Sequence, residues 1–424
     1  MRSRIMDTES CTKPAAPGPE AGTWTVLATV LGVLVGSASA FFLWSLDRVT
    51  EIRFAHPGFL YALPLAGVLM CFAYRRFGKT SGRGNNLILD HIHEPGGGVP
   101  RRMAPLVLGS TLLSHLCGGS VGREGTAVQM GGSLASALAH RLGLAPERLP
   151  TLLIAGMAAG FGAVFGTPLA GAVFALEVPT RGRIKFSAWL PAIVGSFVGD
   201  LTCRAWGVGH TAFPTITFPK TPALGNAVLL AKILLAALVF GAVAAGFTRL
   251  AHGTQKAYER WIPVWWLRPV VGGILVLGIS AILGTKDYLG LSVSSPEIGA
   301  ITLATALYDG GCTSWSWLWK LALTALTLGA GFKGGEVTPL FFIGATLGNA
   351  LSIYLGAPVD ILAALGFVSV FCAASHTPIT GLLLGSELFG LQCAPLFLVT
   401  CLVASFCCGS AQLYSAQRLP KPSH

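Results

Sequence analysis

Gly119-Ser120-Val121-Gly122-Arg123-Glu124-Gly125-Thr126 leads into an apolar run that reaches residue 142, and Gly331-Phe332-Lys333-Gly334-Gly335-Glu336-Val337-Thr338-Pro339 leads into another that reaches residue 355. In each stretch a threonine follows the glutamate by two residues, and a glycine, Gly132 or Gly344, follows it by eight. A second pair of blocks keeps nearly the same offset: Thr167-Pro168 with Gly171 and Glu177, and Thr377-Pro378 with Gly381 and Glu387. Two ordered blocks at one offset predict two homologous halves, about 24–210 and 225–412.

The chain around these blocks is apolar. Hydrophobic residues make up 53% of the 424 and charged residues 11%, against about 25% charged in an average soluble protein, which excludes a soluble globule of this length. Glycine, at 54 residues, has about twice its usual share, as packed membrane helices require where backbones approach closely. Residues 24–46 carry no charged side chain. As a helix they would extend about 34 Å, enough to cross a hydrocarbon core of roughly 30 Å. The later apolar segments 103–117, 126–142, 152–165, 167–178, 338–355, 361–374, 377–389 and 394–406 are short or cut by glycine and proline. Non-helical backbone at membrane depth is tolerated only where protein buries it or a polar cavity receives it, and breaks at matching places in two halves point to a secondary transporter's binding site. We therefore expect an all-α polytopic membrane protein of two inverted-topology repeats with discontinuous helices. Its parts are a tail at 1–22, a transmembrane domain at 23–412 and a short tail at 413–424.

Charge sets the expected orientation. The first loop, with Asp47, Arg48, Glu51 and Arg53, is neutral, whereas the next holds Arg75, Arg76, Lys79 and Arg83; the positive-inside rule puts the latter, and with it the N-terminus, in the cytoplasm. Segment 1–22 contains Asp7, Glu9, Pro14, Pro17 and Pro19 and does not read as a signal peptide. Much of the net charge of +11 lies in loops and tails, without the basic stripe interleaved with aromatics that nucleic-acid binding needs. The ten cysteines form no C-x-x-C pair, so neither a zinc site nor a disulfide framework is indicated. Asp90-His91-Ile92-His93-Glu94 lacks a second ligand group, and no metal is expected. Gly78-Lys79-Thr80 looks like the end of a P-loop, but Ala73 stands where the earlier glycine is required, so ATP-driven transport has no visible engine. None of the helix breaks supplies a nucleophile with a base, which argues against a membrane-embedded enzyme. No cofactor is expected.

The chemistry concentrates at the two opening stretches. A glycine-rich loop feeding an apolar helix exposes free N–H groups and the positive end of the helix dipole, an anion site by construction. Glu124 would begin the first helix, and Pro339 suits the first position of the second. Glu124 is itself an anion, so it can occupy the site when the transported anion is absent and take a proton when displaced. A capping glutamate is its structural alternative, but a carboxylate between long apolar runs costs about 2.5–3.5 kcal/mol at mid-membrane and is functional by default. Glu336 is a second titratable group in the equivalent place, and its Thr338 neighbour can cap the helix or offer a hydroxyl proton to an anion. Asn85 in Gly84-Asn85-Asn86 can donate amide hydrogens to a small anion. The symmetry of Glu177 and Glu387 suggests an architectural role, such as capping a segment of the other half.

Gly122-Arg123-Glu124-Gly125-Thr126 resembles the G-[KR]-E-G-[PT] gate of the CLC chloride channels and antiporters. The resemblance covers nearly all of the membrane part and takes in Gly166-Thr167-Pro168-Leu169-Ala170-Gly171 and Glu177. Its departures from the chloride pattern are similar to the fluoride-exporting branch: Gly84-Asn85-Asn86-Leu87 replaces G-S-G-I-P, the gate ends in Thr126 rather than proline, Gly335-Glu336-Val337-Thr338-Pro339 replaces G-x-F-x-P, and Val178 stands where a proton-relaying glutamate often follows. The resemblance implies a secondary active antiporter that exports fluoride in exchange for protons, a homodimer with one pathway per subunit in the lipid bilayer of a bacterial inner membrane. By motif match it implies Glu124 as gating and proton-coupling glutamate, with Glu336 and Thr338 in transport. Anion binding would fall to Gly84, Asn85, Asn86, Gly122, Arg123, Gly125, Thr126, Gly334, Gly335, Val337 and Tyr414, although Tyr414 also suits an interfacial aromatic belt. Only a short tail follows residue 406, so no nucleotide-binding regulatory domain is expected. A chloride/proton antiporter and a passive anion channel are the alternatives; Glu336 and Asn85 argue against the first, and Glu336 as a second titratable group against the second.

Overall fold

The computed structural model describes residues 21–216 and 223–419; the remainder of the expected tails, 1–20 and 420–424, lies outside the described residues. Among those described there are fifteen α-helices and no β-strand. The first half holds α1 (Ala21–Ala55), α2 (Leu63–Ala73), α3 (Asn85–His93), α4 (Met103–Leu116), α5 (Glu124–Arg141), α6 (Leu149–Phe165), α7 (Pro168–Glu177) and α8 (Trp189–Ala205). The second holds α9 (Ala223–Trp261), α10 (Leu267–Leu283), α11 (Ser316–Gly329), α12 (Val337–Leu355), α13 (Val359–Ser375), α14 (Pro378–Phe389) and α15 (Ala394–Cys408).

The repeat seen in sequence recurs in the packing. α5 lies on α6 as α12 lies on α13, α1 on α8 as α9 on α15, and α6 on α7 as α13 on α14. Small residues allow the closest of these approaches: a Cβ on Gly131 would stand 2.0 Å from the Gly156 carbonyl, and one on Gly344 would stand 2.0 Å from that of Gly366. Backbones this close gain dispersion contact where lipid offers no hydrophobic driving force.

Seven helical stretches among the described residues are long and apolar enough to cross a membrane. The spans containing α6 and α12 are mostly buried inside the protein, whereas α1 and α15 turn Val30, Phe41, Trp44, Leu402 and Phe406 outward, an apolar exterior suited to lipid. α1 runs for 35 residues, well past the uncharged segment, and such excess length is accommodated by tilt. Buried α6, α12 and α13 meet around a stack of phenylalanines; Phe341 and Phe367 lie with ring centres 4.4 Å apart, and Phe165 packs 5.0 Å from Phe341.

The short helices end where the sequence is broken. α6 stops at Gly166, whose φ is +74°, and α13 stops at His376, whose φ is +54°. The left-handed conformation is unfavourable for a residue with a Cβ, and His376 is held in it by a hydrogen bond between its Nε2 and the Ala411 carbonyl, 2.8 Å. Residues 413–419 pack into the domain. Leu413 N–H donates to Ala374 O, Gln417 Nε2 donates to the carbonyls of Val178 and Ser375, and Arg418 N–H donates to Pro179 O.

Candidate functional site

Two loops from the two halves cross at the centre. Gly122 N–H donates to Gly335 O at 2.6 Å and Gly335 N–H donates to Gly122 O at 2.7 Å, a single reciprocal pair that sets the N-termini of α5 and α12 side by side. Glu124 opens α5 and is fully buried. Its Oε2 accepts from the Thr338 N–H at 3.1 Å, from the Thr338 hydroxyl, and from the Arg123 N–H at 3.4 Å. Its Oε1 lies 3.5 Å from Arg123 Nε and accepts no hydrogen bond. A carboxylate of the first half thus sits on the free N–H end of a helix of the second, where the unfilled donors and the helix dipole favour negative charge.

Glu336 stands at the N-cap of α12, yet its side chain caps nothing. It turns away from Glu124's position into a separate cavity, and its Oε2 is buried with no hydrogen bond to protein. Around Gly125, Asn85 Nδ2 and Glu336 Oε2 would each stand 3.5 Å from an added Cβ. Asn85 is the first residue of α3, with its Oδ1 unpartnered, and the Tyr414 phenol lies against its amide, within electrostatic reach of both Glu124 and Glu336. The Tyr414 hydroxyl and the Asn85 amide therefore stand beside the Glu336 carboxylate around one gap.

This gap opens to one face of the protein through a cavity of about 200 Å³, lined by Gly84, Asn85, Asn86, Lys333, Gly334, Glu336 and Tyr414 together with Arg83. A second cavity of about 270 Å³ enters from the opposite side, with Asp47, Arg53, Arg123 and His210 in its walls. Glu124 and Thr338 stand at the inner end of this second cavity, in a crevice of only about 10 Å³ against Phe165 and Phe213 that shares Arg123, Thr211 and Val293 with it.

Several residues expected at the anion site have other tasks. The amides of Gly122 and Gly335 are consumed by their mutual pairing. The Gly84 N–H donates to Ser81 O, so Gly84 contributes surface to the cavity and not its amide. The hydroxyl of Thr126 bonds to that of Thr111 on α4 at 2.7 Å, inside the packed interior. Val337 is a core side chain. Asn86 accepts the Ala416 N–H at 3.0 Å and so fastens the segment that carries Tyr414. Pro339 is the third residue of α12, not the first; the first four N–H groups of a helix lack partners in any case, so its missing donor costs nothing there.

Glu177 and Glu387 exchange caps between the halves. Glu177 accepts from the N–H groups of Ile379 and Thr380 and from the Thr380 hydroxyl, at 3.0, 2.8 and 2.7 Å. Glu387 accepts from Leu169 and Ala170 N–H at 2.9 and 2.8 Å. In the acidic and histidine stretch, Asp90 pairs with Arg83, Glu94 with Arg418, and His93 Nε2 bonds to Pro179 O. Sequence reasoning did not single out Lys333, whose ammonium lies 4.8 Å from the Tyr74 ring centre in the Glu336 cavity; a lone lysine in a glycine-rich membrane loop was the available signal.

The family model described as voltage gated chloride channel matches residues 66–409. A chloride/fluoride channel protein of Pseudomonas syringae pv. tomato is 42% identical over 412 residues, covering 96% of this chain and 88% of its own. The crystal structure of a CLC-type fluoride/proton antiporter superposes with a TM-score of 0.89 at 32% identity, over 96% of this chain and 100% of that one. A slow cyanobacterial Cl-/H+ antiporter shares the fold at 21% identity, with a TM-score of 0.74 over 92% of this chain and 96% of its own. With its two halves crossed at Gly122 and Gly335 and a first-half carboxylate on a second-half helix end, the chain belongs to the CLC family of anion channels and transporters.

Proposed function

We propose that the protein is a secondary antiporter that exports fluoride in exchange for protons, and that the carrying observation is a second carboxylate, Glu336, whose Oε2 is buried without a hydrogen bond and which lines the cavity next to the Glu124 gate. In this reading the face of Arg75, Arg76, Lys79 and Arg83 is cytoplasmic, as is the N-terminus, and the membrane is the bacterial inner membrane. Fluoride enters past Lys333 and loses water to the Asn85 amide and the Tyr414 and Thr338 hydroxyls, all of them donors to a small hard anion. An anion arriving at Thr338 competes with Glu124 for the same N–H and hydroxyl. Once displaced, Glu124 swings toward the opposite cavity, takes a proton there and returns neutral. Glu336 supplies the second negative group against which only a protonated partner or an anion with its proton can be accommodated, which couples the two fluxes. The family pattern adds a homodimer with one pathway in each subunit.

Similarity to the fluoride/proton antiporter and to the chloride/fluoride channel protein supports fluoride as the ion. Chloride/proton exchange is the second reading, favoured by the shared fold with a Cl-/H+ antiporter. Anion efflux from liposomes holding the purified protein separates them: fluoride release far faster than chloride release, with proton movement the other way, is expected. Equal rates for the two anions would move the protein to the chloride reading, and fluoride release without proton movement would make it a channel.

A further inference from the structure

We propose that the cavity on the Asp47 side of Glu124 is a second anion site, where Arg53 holds one small monovalent anion outside the gate. Arg53 lies in the last turn of α1 and is only 8% exposed. No described residue forms a hydrogen bond or ion pair with it, and its Nε is buried and bare. Its guanidinium carbon lies 4.7 Å from the centre of the Phe54 ring. A buried guanidinium with five donors and no acceptor is costly to maintain, and it faces a cavity of about 270 Å³.

The wall around it is shaped for a cation. Gly290, at φ +65°, lies so close that a Cβ would stand 2.4 Å from Arg53 Nη1. Ser292, also left-handed at φ +56°, lines the cavity, gives its hydroxyl proton to Asp287 O at 2.6 Å and accepts from Lys320 Nζ at 2.9 Å. Lys320 is fully buried and donates its other protons to the carbonyls of Tyr288 and Gly290, with no carboxylate in contact. Arg123 lies in the same cavity, and its Nε also lacks a hydrogen-bond acceptor.

The charges present also limit what the site accepts. Asp47 shares the cavity, Glu124 closes its inner end, and Glu297 lies in an adjoining pocket beside Arg53 without pairing to it. A multivalent anion would meet these carboxylates at low dielectric, whereas one negative charge at Arg53 is matched by the guanidinium. The site therefore suits a halide. An anion leaving the gate would pass to Arg53 before bulk water, and an anion waiting there would reach Thr338 as soon as Glu124 moved. This inference builds on Glu124 as gate but not on the identity of the transported ion.

The test uses crystals of the full chain soaked in bromide, whose anomalous scattering locates it. A bromide peak beside the Arg53 guanidinium in the wild type, lost in Arg53→Gln and lowered in occupancy by added fluoride or chloride, is the expected result. Absence of the peak in the wild type, with Arg53 turned to Glu297 instead, overturns the proposal, as does a peak that survives in Arg53→Gln. If Arg53→Gln does not fold, the wild-type peak and its displacement by the smaller halides decide. In liposomes Arg53→Gln should raise the half-saturating anion concentration about tenfold, the loss expected for one charge-assisted contact, while the ratio of protons to anions stays as in the wild type. A changed ratio with unchanged saturation would instead assign Arg53 to the gate itself. Failure of fluoride selectivity leaves the bromide result standing, so the two proposals fail separately.

Discussion

Glu124 and Thr338 join the two halves at this site through side chains. One carboxylate oxygen takes three donors, two of them from Thr338, and hydrogen bonds to a charged group contribute about 1.5–3 kcal/mol each. Glu124→Gln keeps the shape and an acceptor oxygen, so the protein should fold, but the side chain can no longer carry a proton. Proton-coupled exchange should vanish, leaving at most slow or uncoupled anion flux in liposomes; wild-type coupling in that variant would remove Glu124 from the mechanism. Thr338→Val loses the hydroxyl and keeps the backbone N–H that reaches Glu124 at 3.1 Å. Fluoride efflux should fall several-fold without stopping, and either no change or complete loss from a folded protein would argue against its place beside the anion. The repeated Glu-x-Thr was legible in sequence, but its two copies are used differently. Thr126 bonds Thr111 on its own half's α4, while Thr338 meets a glutamate from the other half. That difference comes from which helix packs behind each threonine, and no local pattern encodes it.

At the scale of elements, the breaks before α7 and α14 are held by carboxylates from the opposite half. Glu177 is 3% exposed and receives three donors, whereas Glu387 is partly exposed and receives two. Loss of a helix cap costs about 0.5–2 kcal/mol, and leaving buried donors without an acceptor costs about 1–3 kcal/mol. Glu177→Ala should therefore lower the thermal midpoint in detergent more than Glu387→Ala, with efflux per folded protein less affected than stability. The opposite ranking, or unchanged midpoints with lost coupling, would give these residues a part in proton movement. Their common spacing after Thr-Pro, together with the repeated Glu-x-Thr block at nearly the same offset, is the signal from which the two halves are read. The left-handed His376 at the second break was not legible, because a glycine holds the matching place in the first half and only the Ala411 carbonyl, brought in by the folded C-terminal segment, makes histidine acceptable. The end of α1 at Ala55 was also hidden, since charged residues extend the helix beyond its apolar part.

For the whole molecule, the central feature is a pair of unequal cavities, with Glu124 and Thr338 at the inner end of the larger. Composition predicted the membrane and the repeat predicted two halves, but the cavities arise from loops whose contacts span the chain. Tyr414 reaches Asn85 on a segment that Asn86 holds at Ala416 and Ala374 holds at Leu413. In the proposed mechanism coupling rests on a second carboxylate, Glu336, which lines the cavity beside Asn85 and Tyr414. If it were only a helix cap, Glu336→Ala would cost about 0.5–2 kcal/mol of stability and leave turnover intact; its side chain makes no cap bond. The decisive measurement is fluoride efflux, with simultaneous proton uptake, from liposomes containing Glu336→Gln, normalised to folded protein recovered by size-exclusion chromatography. The account predicts normal folding and a loss of fluoride transport by an order of magnitude or more, whereas near wild-type exchange from well-folded Glu336→Gln would contradict it.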